Sequence, residues 1–363
     1  MEDRTLESSS RLGTLREWEQ YARTPYSVAG KDVINDFYEI SDATRLPSIV
    51  DVSVIVLTFN HEKWLEQCLD GIVKQETRYS FDIILSEDCS TDRTLEICKE
   101  YQRQYPNLVR LLVANKNYGG QGVGARVDLL VGAHCRYVMW CEGDDYWTDL
   151  RKIDKQVAFL EEHRDVGACA GRFDTLYLKE GRMDVGQRNL RSGYIRHIFR
   201  NGFEFFHIST ICVRVEEYKR YADFRNRTGI GYDMTLLRFL QLSRGIYVLP
   251  DVFSVYRRTG EGVWSSSSRS RMRMITLRVL LNTAKNVSFP FSTYINAVLI
   301  AEYCSYMRRQ AGFWGDWRSL GLAFMRVVSY SLRNPLSSCY CIVYFVMPKI
   351  VVKFRRFWRS VAR

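Results

Sequence analysis

An α/β fold, with a mostly parallel sheet sandwiched by helices, is predicted by three features of the 363-residue chain. Short apolar, β-branched runs alternate with helix-patterned segments between residues 50 and 142. Carboxylates collect at the ends of two of those runs. A hydrophobic content of 46% is enough to fill a sizeable core.

The elements follow in order. "DVSVIVLTF" (51–59) has strand composition, and "HEKWLEQCLDGIVKQ" (61–75) puts Trp64, Leu65, Cys68, Leu69, Ile72 and Val73 on one helical face. "FDIILS" (81–86) predicts a second strand, and "STDRTLEICKEYQRQY" (90–105) a helix with a Ser/Thr cap and an acid in its first turn. "LVRLLVA" (108–114), a Gly-rich loop "NYGGQGVG" (117–124), a helix near 125–134 and the strand "YVMWC" (137–141) complete the alternation. Such repetition implies parallel strands with helices on both faces, and a ligand crevice at their carboxyl ends. Glu87-Asp88 and the "CEGDDYW" acids Glu142, Asp144 and Asp145 both fall at that edge.

Burying several unpaired anions would cost roughly several kcal/mol each, so these acids must meet water, a basic partner or a cation. Taken alone, "GDD" also reads as a solvated turn and "EDCSTD" as a helix-capping turn. Two acidic loops at one sheet edge, beside a Gly-rich turn able to offer backbone N–H groups, describe a metal-bridged phosphate ester site. The Gly-rich loop lacks the GK[ST] of a P-loop and does not open a dinucleotide-binding unit.

The order and spacing of "VSVIVLTFNHEKWLEQCLDGIVKQ", "IILSEDCSTDRTLEI", the Asn/Gly loop and "EGDDYWTDLRKIDKQVAFL" resemble the catalytic half of the inverting family 2 glycosyltransferases, over about residues 50–265. The resemblance implies the A-type nucleotide-sugar fold and a nucleoside diphosphate sugar, a UDP-sugar first among them, with Mg²⁺ or Mn²⁺ on its diphosphate. It implies that Phe59 and Asn60 line the nucleotide pocket, that Asp88 contacts the base, and that Arg126 lies near the base or diphosphate. Glu142 stands at the first position of the aspartate-any-aspartate motif, near the ribose, and Asp144 is the implied metal ligand. Glutamate at that first position keeps the carboxylate on a longer arm.

Inverting displacement of a sugar needs a base on the acceptor hydroxyl. "GIGYDMTLLRFLQL" (229–242) offers Asp233 at a Gly-rich turn opening a helix, where the family's catalytic carboxylate is expected. An ordinary first-turn acid, favoured by the helix dipole, is the competing reading. "VYRRTGEGVWSS" (255–266) is similar to a family segment that often has histidine where Thr259 stands, leaving Arg257 or Arg258 to supply positive charge. Solvated arginines are the alternative for both.

The net charge of +11 is uneven: from Arg269 onward there are 16 Lys/Arg against two acids, whereas the preceding 268 residues hold 36 Lys/Arg and 39 Asp/Glu. This predicts an N-terminal arm (1–49), a catalytic domain (50–265) and a basic helical region (266–363) with a different partner. "LSSCYCIVYFVMPKIVVKF" (336–354) falls short of the roughly 20 apolar residues needed to span a bilayer, and with "KFRRFWR" it suits an anionic membrane surface. A packed helix is the rival; nucleic acid is not expected, because no recognition fold accompanies the arginines. The polar, mixed-charge start and ten cysteines without a CxxC pair fit a cytoplasmic protein on the inner face of the cell membrane. The expected activity is sugar transfer to a glycan or lipid-linked acceptor in cell-envelope polysaccharide synthesis. A non-catalytic scaffold on the same fold and a sugar-phosphate nucleotidyltransferase are the alternatives; the latter would release pyrophosphate.

Overall fold

The computed structural model describes residues 37–42, 44–118, 130–131, 134–186, 192–195, 207–228 and 233–260. They belong to a compact unit, Ser27–Ser267. In chain order the elements are β1 (Phe37–Glu39), β2 (Val50–Thr58), α1 (Leu65–Val73), β3 (Phe81–Glu87), α2 (Thr94–Gln104), β4 (Val109–Ala114), β5 (Cys135–Glu142) and β6 (Tyr146–Trp147). There follow α3 (Lys152–Glu162), β7 (Ala168–Tyr177), β8 (Arg182–Asp184), β9 (Gly193–Ile195), β10 (Cys212–Arg214), α4 (Val215–Thr228), α5 (Asp233–Leu242) and β11 (Ile246–Arg258).

The sheet runs β1-β4-β3-β2-β5-β10-β7-β11-β6, with β8 on β7 and β9 on β11. β4, β3, β2 and β5 are mutually parallel, as their continuous apolar runs predict. β10 enters antiparallel between β5 and β7, joining this block to the parallel β7–β11 pair. Three residues of the expected arm, Phe37–Glu39, add an antiparallel edge strand to β4.

Strand side chains alternate between two cores, which is the period-2 geometry of a sheet covered on both faces. Val52, Val54, Val56, Ile83 and Leu85 pack with Leu65, Leu69 and Ile72 of α1, Ile97 of α2 and Ile153 and Val157 of α3. Ile55, Ile84, Val138 and Trp140 pack with Tyr218 and Tyr221 of α4 and Leu236, Leu237 and Leu240 of α5. Each fully buried aliphatic side chain contributes about 1.5–3 kcal/mol, and truncating one such as Leu85 to alanine would cost about 2–5 kcal/mol. This double-sided burial holds the strand tips rigid where the candidate site lies.

The first turn of α2 differs from the sequence expectation in its cap. Asp92 Oδ1 accepts from the Thr94 N–H at 3.0 Å, while the Ser90 hydroxyl accepts from the Asn60 N–H at 3.0 Å. The hydroxyl is taken by the neighbouring loop, so the carboxylate caps the helix. Among the described residues, no helix is long and apolar enough to cross a membrane. The expected basic helices of 266–363 lie outside the described residues.

Candidate active site

Parallel register brings the acidic tips together. Thr58 pairs with Glu87, and Leu57 with Glu142, at the carboxyl ends of β2, β3 and β5. Just past β2, Asn60 has φ 53°, a left-handed conformation that asparagine tolerates better than most residues. Its Oδ1 accepts from the Thr91 N–H at 2.8 Å, so Asn60 ties the loop after β2 to the loop after β3. The adjacent Phe59 leaves 40% of its surface exposed, a large apolar face at the rim.

The two acids after β3 differ in use. Glu87 is buried and turns inward: its Oε1 accepts from Ser90 N–H at 2.6 Å and its Oε2 from Cys89 N–H at 3.2 Å. It therefore shapes the loop. Asp88 donates its N–H to the Thr58 carbonyl at 3.0 Å, and its Oδ1 accepts from the Tyr118 N–H at 2.9 Å. Arg126 lies outside the described residues.

The turn after β5 explains why glycine divides the acids. A Cβ on Gly143 would sit 2.6 Å from His61 Nδ1 and 2.8 Å from Thr58 Oγ1, so the turn can lie against β2 only without a side chain. Gly143 N–H donates to the Leu57 carbonyl at 2.9 Å. Asp145 is fully buried, its Oδ1 accepting from Arg257 N–H at 2.9 Å and its Oδ2 from Ser209 Oγ at 2.9 Å. Glu142 and Asp144 are half-buried.

Arg257 is 3% exposed, and its guanidinium donates to the Asp144 carbonyl oxygen at 2.7 Å and to Gln67 Oε1. It lies 4.3 Å from the Tyr146 ring centroid and 5.2 Å from that of Trp64. It is thus a clamp on the turn's backbone, and the solvated reading does not apply to it. Arg258, half-buried, lies 5.4 Å from the Tyr177 ring.

His207 follows no motif that marks it in the sequence. Its ring stacks on Tyr256 at 4.4 Å, and Nδ1 lies 3.4 Å from Asp145 Oδ2. Burial pushes its pKa down to about 3, so the ring is neutral. Among the described residues, one oxygen each of Glu142 and Asp145 and a ring nitrogen of His207 lie within 4.8 Å of one another, a donor set that could hold a metal ion.

Desolvation first, then the charges of Asp144, Asp145 and Asp233, push the Glu142 carboxyl well above its usual range. Asp145 is raised by burial and by Asp144, against the lowering effect of the Arg257 N–H and Ser209 bonds. Burial also lowers the His61 pKa, opposed by Asp144 and Asp92. Asp233, the first residue of α5, is therefore within electrostatic reach of Glu142 although 91 positions separate them in the chain. A site with this much converging negative charge favours a cation. Ser209 and His207 escaped the sequence reading because neither repeats with a helix or strand period; only the scarcity of histidine, five in the chain, marks His207 at all.

The Glycosyl transferase family 2 profile matches residues 53–215. An uncharacterized protein of Mycobacterium tuberculosis is 30% identical over 61% of this chain and 63% of its own length, so the match spans somewhat less than two thirds of that relative. "Putative glycosyltransferase EpsE" of Bacillus subtilis is 30% identical over 67% of this chain and 85% of its own length. Among solved structures, Staphylococcus aureus TarS 1–349 in complex with UDP-GlcNAc superposes with a TM-score of 0.52 at 18% identity, covering 82% of this chain and 80% of TarS 1–349. That likeness supports the A-type glycosyltransferase fold for the mixed sheet and its helices. With a relative matched over most of its length and the family profile across β2 to β10, the chain belongs to glycosyltransferase family 2.

Proposed function

We propose that the protein moves a sugar, with inversion, from a nucleoside diphosphate sugar, a UDP-sugar first among them, to a glycan or lipid-linked acceptor in cell-envelope polysaccharide synthesis. The observation that carries this reading is the convergence of Glu142, Asp144, Asp145 and Asp233 at the carboxyl edge of a family 2 sheet. TarS, a relative 34% identical over 112 residues, is named a poly(ribitol-phosphate) beta-N-acetylglucosaminyltransferase, which supports the choice of donor and of pathway.

In this reading Phe59 and Asn60 form the wall of the nucleotide pocket, Asp88 meets the base, Arg126 the base or diphosphate, and Glu142 the ribose. Asp144 holds Mg²⁺ or Mn²⁺, and the neighbouring oxygen and nitrogen donors fit a divalent cation. When bound, the ion neutralises charge on the leaving diphosphate. Arg257 keeps the Asp144 backbone in place through its carbonyl. Arg258, with its guanidinium not committed to the turn, supplies positive charge at the rim. Asp233 accepts the acceptor hydroxyl's proton as that oxygen bonds to the anomeric carbon; the bond from that carbon to the diphosphate oxygen breaks on the opposite side, releasing the nucleoside diphosphate.

A thermal-shift panel of nucleoside diphosphates and their sugars, with and without Mn²⁺, tests the reading, because a ligand of the native state raises stability by mass action. Metal-dependent stabilisation by UDP and a UDP-sugar is expected. Release of pyrophosphate in place of a nucleoside diphosphate during turnover would instead assign nucleotidyl transfer. The basic region 266–363 is proposed to dock on an anionic membrane surface. Liposome flotation that rises with anionic lipid and weakens with salt is the expected result, and equal binding to neutral vesicles would remove the electrostatic argument.

A further inference from the structure

Three strands carry one cross-strand row at the carboxyl edge of the sheet. Arg182 of β8 pairs with Tyr177 of β7, and Tyr177 with Arg258 of β11. Tyr177 and Arg258 are the last residues of their strands. Because β10 runs antiparallel to both β5 and β7, these ends lie on the same edge as the tip of β5. Residues in register share a face, so the three side chains stand on one side of the sheet. Strand spacing puts Arg182 and Arg258 about 10 Å apart at the backbone. Their side chains converge nonetheless: the two guanidinium carbons lie 4.2 Å and 5.4 Å from the Tyr177 ring centroid.

A third cation joins them. A Cβ on Gly260 would sit 2.5 Å from Lys179 Cε and 2.9 Å from its Nζ, so the Lys179 ammonium lies against the backbone just beyond Arg258. Among the described residues Lys179 and Arg258 form no ion pair with a carboxylate. Arg182 does pair with Asp184, but the two side chains are 53% and 51% exposed, and such a pair is worth only about 0–1 kcal/mol. A phosphate can displace so weak a partner. Glu180, exposed in the same hairpin, makes no ion pair with the three cations.

Position says to which substrate the anion belongs. Arg257 sends its guanidinium to Gln67 of α1, which fixes its side of the sheet. Strand alternation puts Arg258 on the other face, where α5 packs, and α5 begins at Asp233, the base proposed for the acceptor hydroxyl. The proposed nucleotide residues Phe59, Asn60 and Asp88 follow β2 and β3, which β5 and β10 separate from the row. The row therefore lies on the acceptor's side of the acid turn. A carboxylate's two coplanar oxygens fill one guanidinium fork, whereas the tetrahedral oxygens of a phosphate suit two forks and an ammonium.

We propose that Arg258, Arg182 and Lys179 form an acceptor subsite for phosphate, so that the acceptor is a phosphate-bearing chain whose anion docks on this row while its hydroxyl meets Asp233. This rests on the transfer reading above and adds the chemical class of the acceptor. Tyr177 is the positioning residue, holding both planar guanidinium groups against its ring so that less freedom is lost when they bind an oxyanion.

Isothermal titration of a short glycerol phosphate oligomer into the full-length chain, with and without saturating UDP and Mn²⁺, tests it. Binding that weakens with salt is expected under both conditions, and none is expected for uncharged polyglycerol of like length. Arg258→Gln, Arg182→Gln and Lys179→Gln should each weaken the oligomer about tenfold, the scale of a lost hydrogen bond to a charged group, with UDP affinity unchanged. Equal binding of the two probes, or variants that bind the oligomer as the wild type does, overturns the proposal. So does a parallel fall in UDP affinity, which assigns the cations to the donor's diphosphate, or a loss confined to flotation with phosphatidylglycerol vesicles, which assigns them to the membrane. Should Arg258→Gln fail to fold, the variants at the exposed positions 179 and 182 decide alone. A wild-type chain that binds the oligomer but neither UDP nor a UDP-sugar with Mn²⁺ is the separate outcome that overturns the transfer reading itself.

Discussion

The Arg257 guanidinium donates to the backbone carbonyl of Asp144, at 2.7 Å, and not to its carboxylate. The cation therefore fixes the turn while the acid stays available. Lysine cannot reproduce this, because one ammonium on a flexible stem lacks the planar fork that reaches Asp144 and Gln67 while lying on Tyr146 and Trp64. Arg257→Lys is expected to lower stability by about 1–3 kcal/mol, measured by denaturant unfolding, and to weaken metal-dependent donor binding. An unchanged unfolding midpoint would mean that the clamp contributes nothing.

Gly143 makes a second, steric prediction. Adding one methyl group brings a carbon within 2.8 Å of Thr58 Oγ1 and 2.6 Å of His61 Nδ1, so the turn must move away from β2. Gly143→Ala should cost about 1–3 kcal/mol of stability, as overpacking does. It should also lower kcat by about 10²-fold, the scale of a misplacement of about 1 Å at a reacting centre. Retention of wild-type kcat would show that the acids do not depend on this close approach.

At the opposite end of the strands, His134 Nε2 lies 2.8 Å from buried Asp82 Oδ2 and His134 Nδ1 lies 2.8 Å from the Ser48 carbonyl oxygen. Both acceptors need a hydrogen, so the ring makes both bonds only as imidazolium. The hydrogen bond to Asp82 is the main cause raising its pKa above the ordinary 6.5; burial and Arg110 oppose it. A folded-state pKa above the unfolded value means that the contribution is fully present below the unfolded pKa and is lost as pH rises through the folded one. The melting temperature should therefore fall as pH rises past the ordinary imidazole value of 6.5 and through the raised folded-state one, and His134→Gln should flatten that dependence. A mutant as pH-sensitive as the wild type would locate the titration elsewhere.

Much of this architecture is legible in the sequence because burial on both faces writes a simple signal. β2, β3, β4 and β5 are continuous apolar runs, and the amphipathic α1 and α2 between them imply parallel strands, whose tips carry the acids. The placement of β10 is not legible: three residues, Cys212–Arg214, carry no usable period, and only pairing with β5 and β7 makes them a strand. The same limit hides the site's inner row. Glu87 and Asp88 look alike as neighbours, yet Glu87 caps its own loop. Arg257 and Arg258 also look alike, but strand alternation sends one into the acid turn and the other against Tyr177. His207 meets Asp145 across 62 positions of sequence, a contact made by tertiary pairing alone.

The central claim, inverting transfer with Asp233 as base, is tested most directly by Asp233→Asn, assayed for both donor affinity and turnover. Asparagine keeps the shape at the start of α5 but cannot take the acceptor's proton. Isothermal titration with a UDP-sugar and Mn²⁺ should give a Kd near the wild-type value, while product formation falls by about 10²- to 10⁴-fold, the range for losing a general base. Near-normal turnover would contradict the account, as would loss of donor binding, which would make Asp233 part of the nucleotide-sugar pocket.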